Sequence, residues 1–173
     1  MSAAGRIHDQ GAVVIEDYTV VNIHDEPGPK TGARVIDLIV VHHSVSATTT
    51  TPEQIAAWHK ARGFRAPGYH YLIREDERGV WQVIELRRAD DVGAHCEGHN
   101  AHSIGICVAG DYTRIPLSEG ARSALLGALT WGCRAFNLSS AQVKGHGELS
   151  ATACPGFAMA PIREALDRAL SGA

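Results

Sequence analysis

A chain of 173 residues that is 45% apolar and 20% charged has material for one domain with its own core, and too little length for two ordinary ones. Its 16 basic and 19 acidic side chains leave a net charge of −3, which excludes the basic field that nucleic acid or an anionic membrane surface would need. Four scattered cysteines without a CxxC pair argue against a disulfide framework or a Cys-rich zinc finger, whereas 10 histidines point to metal or proton chemistry near neutral pH.

Residues 1–33 read as an N-terminal extension, with short strand patterns at Ala12 to Ile15 and Tyr18 to Ile23 and a loop at Asp25 to Lys30. The domain proper, residues 34–173, opens with Val35 to Val41. This run is β-branched and almost wholly apolar, as expected for a strand buried on both faces at the centre of a sheet. It leads straight into His42-His43-Ser44. Thr51-Pro52-Glu53-Gln54 combines an N-cap, a proline at the first helical position and a glutamine three residues on, which predicts a helix running to about Arg62 and stopped by Gly63. Tyr69 to Arg74 and Val80 to Glu85 predict an antiparallel hairpin. A loop rich in Gly and His follows from Asp90 to Ser103, then a buried strand at Ile104 to Val108. Ser118 caps a long helix ended by Asn137, with Leu125, Ala128, Leu129 and Phe136 on its apolar face. Gln142 to Lys144 is a short extended segment. Behind Pro161, Ile162, Ala165, Leu166, Ala169 and Leu170 have the spacing of an amphipathic helix. The expected fold is α/β, a single domain with a central mixed β-sheet, a buried central strand and about three flanking helices. No apolar run approaches the roughly 20 residues of a membrane helix, and Met1 to Gln10 has no apolar segment of a secretory signal.

A histidine at the end of a buried strand has its backbone fixed by the sheet while its ring emerges into a groove. Neighbouring strand residues point to opposite faces, so only one of His42 and His43 can join a given site. Downstream, His146 and Cys154 stand eight residues apart in a loop of glycines and small residues that can wrap an ion. Two imidazoles and a thiolate leave the fourth tetrahedral position of zinc open, the arrangement of a catalytic site. The competing cluster is His95-Cys96-Glu97-Gly98-His99 with His102; it lacks a distant ligand on a rigid strand, and it suits a substrate groove better. His8, His24 and His59 read as surface or partly exposed, and Cys107 and Cys133 as core thiols.

These segments, in order, carry a resemblance. Val40 to Ser44 (VVHHS), Pro67 to Ile73 (PGYHYLI), Val92 to His95 (VGAH), Gly98 to Asn100 (GHN), Ser103 to Gly110 (SIGICVAG), Gly145-His146 and Ala153 to Phe157 (ACPGF) resemble the zinc-dependent N-acetylmuramoyl-L-alanine amidases. These are the type 2 amidase and peptidoglycan recognition protein superfamily, including phage lysozyme-like endolysins. The resemblance spans roughly residues 35 to 170 and implies that fold. It implies one catalytic Zn2+ held by His42, His146 and Cys154, with Tyr69 as the catalytic tyrosine. Thr152 stands where the phage branch carries lysine and the animal recognition proteins carry threonine, so a neutral hydrogen bond replaces a positive charge at the developing oxyanion. Cys154 separates the chain from the cytosolic recycling branch, which has aspartate there, and from non-catalytic recognition proteins, which lack the cysteine.

The implied activity is hydrolysis of the amide between the lactyl group of N-acetylmuramic acid and L-alanine of the stem peptide, by zinc-activated water. His95, His99 and Asn100 are the candidates for contacting sugar or peptide, the alternative being hydrogen bonds that hold their loop. Glu148 lies near His146 in sequence as an unassigned carboxylate. The implied partner is peptidoglycan, with no nucleic acid, no membrane insertion and a monomeric protein. The expected setting is a phage or bacterial lytic enzyme made in the cytoplasm and released to the wall, in the phage case through a holin-type pore. The alternatives are a non-catalytic peptidoglycan-binding module and a purely structural zinc site.

Overall fold

The computed structural model describes residues 13–15, 18–20, 32 and 34–172. In chain order the strands are β1 (Val13–Ile15), β2 (Tyr18–Val20), β3 (Leu38–His43), β4 (Tyr71–Glu75), β5 (Trp81–Glu85), β6 (Ser103–Val108) and β7 (Val143–Gly145). The helices are α1 (Pro52–Ala61), α2 (Glu119–Phe136) and α3 (Ala160–Ser171). Ala12, the Asp25 to Lys30 loop, His8 and His24 lie outside the described residues.

The strands form one mixed sheet in the order β1-β2-β5-β4-β6-β3-β7. β3, β6 and β7 run parallel, as do β4 and β6, while β5 and the β1–β2 hairpin add antiparallel strands on the far side. The expected strand at Val35 to Val41 begins later, at Leu38, and runs on through both histidines. Val35 is 79% exposed, because pairing on both sides starts only at Leu38 and Ile39. β3 is buried at every position, yet it lies next to the sheet edge rather than at its centre, a place held by β4.

Alternation along the strands sorts side chains between two faces. Ile39, Val41, Tyr71, Ile73, Ile104, Ile106 and Val108 enter the large core with Ala121, Leu125 and Leu129 of α2 and Ile162 and Leu166 of α3. Complete burial of Ile39, Leu125, Leu129 and Leu166 contributes about 2 kcal/mol per side chain. On the opposite face, Ile55 of α1 covers Leu72, Ile84 and Cys107. The local signals act as the residue types dictate. Thr51 and Gln54 form a reciprocal capping box at α1, Gly63 follows in the left-handed region at φ 86°, and Asn137 ends α2 at φ 56°.

Candidate metal centre

On the α1 face, β6 presents only small residues, Ser103, Gly105 and Cys107, while its large ones, Ile104, Ile106 and Val108, point into the main core. The space above this row is filled by imidazoles. His42, at the carboxyl end of β3 and in register with Cys107, is 1% exposed. His43, on the opposite face, accepts a hydrogen bond from the Tyr112 backbone N–H at 3.3 Å.

His42, His146 and Cys154 each offer one ligand atom, and these atoms all lie within 4.8 Å of one another. Cys154 Sγ is 3.7 Å from His42 Nδ1, and the His42 and His146 rings are 4.6 Å apart between centroids. The second and third members come from one loop. The Gly147 N–H donates to the Cys154 carbonyl at 2.6 Å, and a Cβ on Gly147 would meet the Thr152 carbonyl oxygen at 2.5 Å, so this close approach requires glycine. The Cys154–Pro155 peptide is cis.

Burial holds His42 well below the ordinary imidazole range, with His95, His146 and His43 adding to the effect, and it lowers His146 too. Both rings are therefore neutral and have lone pairs to give. Burial pushes the Cys154 thiol up to about 11, against the opposing pull of the His43 backbone N–H, which donates to Sγ at 3.3 Å. A bound divalent cation is the missing charge that would make Cys154 a thiolate. A mixed set of two nitrogens and one sulfur, half enclosed and three in number, fits a tetrahedral ion with one open position.

Tyr69 stands beside this cluster, its ring 5.1 Å from His42. Burial raises its hydroxyl far above the usual range, with Cys107 and Cys154 reinforcing the shift, so the phenol stays protonated and able to donate. Thr152 is exposed, and its Oγ1 accepts from the Cys154 N–H at 3.3 Å, which leaves the hydroxyl proton free. Glu148 turns away from the cluster. Its carboxylate takes two hydrogen bonds from Arg163, at 2.8 and 2.9 Å, and one from the Gly145 N–H at 2.7 Å; the Arg163 bonds hold it below the usual carboxylate range.

The expected groove residues fall elsewhere. His95 is 8% exposed and lies beneath His42, its Nδ1 3.1 Å from His42 Nε2 and its Nε2 3.3 Å from Ser103 Oγ. Asn100 Oδ1 accepts from the His95 and Cys96 backbone N–H groups at 2.8 and 2.9 Å, which makes it a clasp for its own loop. His99 keeps a buried Nδ1 without a partner among the described residues.

His59 corrects a surface expectation: it is 6% exposed. Its Nδ1 accepts from the Gly68 N–H at 2.7 Å, and its ring lies 5.0 Å from Tyr69. Pro52, Ile55 and His59 are the buried residues of α1, a spacing of three and four that was readable as one helix face. His70, fully buried, and Arg34 also support the site without having been singled out by motif.

Comparison with known proteins follows the same lines. The family described as N-acetylmuramoyl-L-alanine amidase matches residues 32–157. The endolysin of Escherichia phage T7 is 30% identical over 133 residues, covering 70% of this chain and 81% of its own. A short peptidoglycan-recognition protein of Drosophila melanogaster is 35% identical over 133 residues, covering 70% of this chain and 69% of its own. Among solved structures, the endolysin N-acetylmuramoyl-L-alanine amidase LysCS from Clostridium intestinale URNW superimposes with a TM-score of 0.70 at 28% identity, covering 82% of this chain and 90% of its own.

Proposed function

The chain belongs to the N-acetylmuramoyl-L-alanine amidase family, and from that premise we propose that His42, His146 and Cys154 hold one catalytic zinc ion. The protein is a peptidoglycan hydrolase that cleaves the amide between the lactyl group of N-acetylmuramic acid and L-alanine of the stem peptide. The observation that carries the assignment of the centre is the convergence of three ligand atoms within 4.8 Å, at the carboxyl end of β3 and beside Tyr69.

Zinc bound by this set supplies a Lewis acid and brings the pKa of water at its open position to about 7. The chain's own groups do the rest. Tyr69, kept protonated by burial, donates to the scissile carbonyl oxygen as charge develops there, and the Thr152 hydroxyl offers a second neutral donor. The His43 N–H steadies the thiolate of Cys154. Glu148, occupied by Arg163, is a loop anchor and no proton acceptor. The protein acts as a monomer on the cell wall, reached after release through a pore-forming partner, and residues 1–33 are an extension packed on the catalytic domain. Among the described residues, no helix is long and apolar enough to cross a membrane.

The test is digestion of purified peptidoglycan by the zinc-loaded protein, read by mass spectrometry. Free stem peptides with new L-alanine amino termini are expected. His146→Ala abolishes their release, and Tyr69→Phe slows it by about a hundredfold, the usual effect of losing one oxyanion donor. No release by the loaded protein, or undiminished release by His146→Ala, overturns the mechanism. A binding module would instead be retained by the wall after chelation and generate no new amino termini.

A further inference from the structure

Beneath the metal centre, four polar groups form a line whose hydrogen-bond directions can be solved from one end. The His99 backbone carbonyl can only accept, so Ser103, whose Oγ lies 2.7 Å from it, must spend its proton there. The Ser103 oxygen, fully buried, is then an acceptor for His95 Nε2–H at 3.3 Å. A neutral imidazole has one donor and one acceptor nitrogen, so His95 Nδ1 bears the lone pair. Facing it at 3.1 Å, His42 Nε2 must carry the proton. His42 Nδ1 is left with its lone pair, aimed at Cys154 Sγ.

We infer that Ser103 and His95 are positioning residues that fix the tautomer of His42, so that its Nδ1 is ready to bind a metal before any ion arrives. The inference rests on the reading of His42 as a ligand. Partners on the far nitrogen of a metal-binding histidine orient the ring and raise its basicity; here the partner is another imidazole, itself oriented by a hydroxyl and a peptide carbonyl.

The packing leaves His95 no alternative place. A Cβ on Gly105 would lie 2.5 Å from His95 Cγ, and one on Gly93 would lie 2.7 Å from His95 Cδ2. Its ring therefore rests directly on the β6 backbone, with the Asn100 side chain holding its own N–H. Without Ser103, the His95 proton can move to Nδ1 and point at His42 Nε2, which would then have to accept and would place the His42 proton on Nδ1, where it blocks coordination.

The wild-type apoprotein, labelled with 15N on histidine, tests the tautomers directly by long-range proton–nitrogen correlation. His42 and His95 are both expected in the Nε2–H form, and His42 protonated at Nδ1 overturns the relay whatever the metal does. Zinc affinity is then measured by competition with a chromophoric chelator. Ser103→Ala and His95→Leu are expected to bind about 10- to 100-fold more weakly, while His95→Asn, which keeps an acceptor at the δ position, recovers most of the loss. Wild-type affinity in a folded Ser103→Ala protein overturns the relay. Should His95→Leu fail to fold, the Ser103→Ala result and the wild-type spectrum still decide. A wild-type protein that binds no zinc but shows the expected tautomers overturns the proposed metal centre and leaves the relay standing.

Discussion

His70 shows how a single buried ring couples stability to acidity. Its Nδ1 accepts from the Gly105 N–H at 3.0 Å and its Nε2–H donates to the Asp91 carbonyl at 2.9 Å, so it is held neutral between two strands and a loop. Burial lowers it to about 4; the Asp91 carbonyl opposes, and Arg34 and Arg87 add to the lowering. The unfolded chain therefore takes up this proton first. The contribution is fully present above the unfolded value of about 6.5 and is lost as pH falls toward 4. The gap corresponds to about 3 kcal/mol. Urea unfolding should find His70→Gln less stable than wild type at pH 7, with the difference shrinking by about that amount near pH 4. A difference that stays constant with pH would show that His70 acts by packing alone. The residue scale is also where sequence reading reached furthest and then stopped. A strand-end histidine and a glycine-flanked His…Cys loop identify the ligand candidates locally. The burial of His95 could not be read that way, because it depends on Gly105 and Gly93 making room from other segments. One signal was available: Ser103, Gly105 and Cys107 alternate with large apolar residues, and a row of small side chains on a buried strand face means that something bulky lies over it.

At the scale of elements, the loop that carries His95 and Asn100 has no regular structure beyond one short turn, yet it is pinned. Arg34 reaches into it from the segment before β3 and donates to the carbonyls of Ala89, Asp91, Asn100, Ala101 and Ser103. Five acceptors around one planar guanidinium are a geometry that lysine cannot reproduce with three donors on a flexible stem. Arg34→Ala is expected to cost about 3 kcal/mol, the loss of charge-assisted bonds together with the carbonyls left unpaired. Arg34→Lys should recover little of it, as read by thermal and urea unfolding. Recovery by lysine would show that charge rather than the fork holds the loop. The helices and the β4–β5 hairpin were legible because capping boxes, stop glycines and apolar spacing are local. The late start of β3 was not. Val35 is as β-branched as its neighbours, and only the reach of β6 and β7, set by tertiary pairing, decides where the strand begins.

For the whole molecule, the mixed sheet was legible from the alternation of strands and helices, whereas strand order was not, since pairing partners far apart in sequence leave no local trace. The order has a practical consequence at the far edge. β2 pairs with β5 through Thr19–Glu85 and Val20–Ile84 and so covers an otherwise open strand. Deleting residues 1–31, which spares Arg34, is expected to leave a folded, zinc-binding domain with β5 exposed. It should therefore self-associate with rising concentration in sedimentation experiments. A truncated chain that fails to fold would make the extension an integral part of the domain.

The distance in sequence between the two halves of the metal centre also sets the timing of its appearance. His42 and Cys154 are separated by 112 positions, and they meet only after β7 has docked in parallel against β3, a pairing that the local elements cannot make alone. During synthesis the strand-end histidine emerges long before its partners, so a growing chain has no site to offer an ion. Capture of the metal coincides with the last long-range step of folding, and an unfinished copy of this wall-cutting protein is inert by construction.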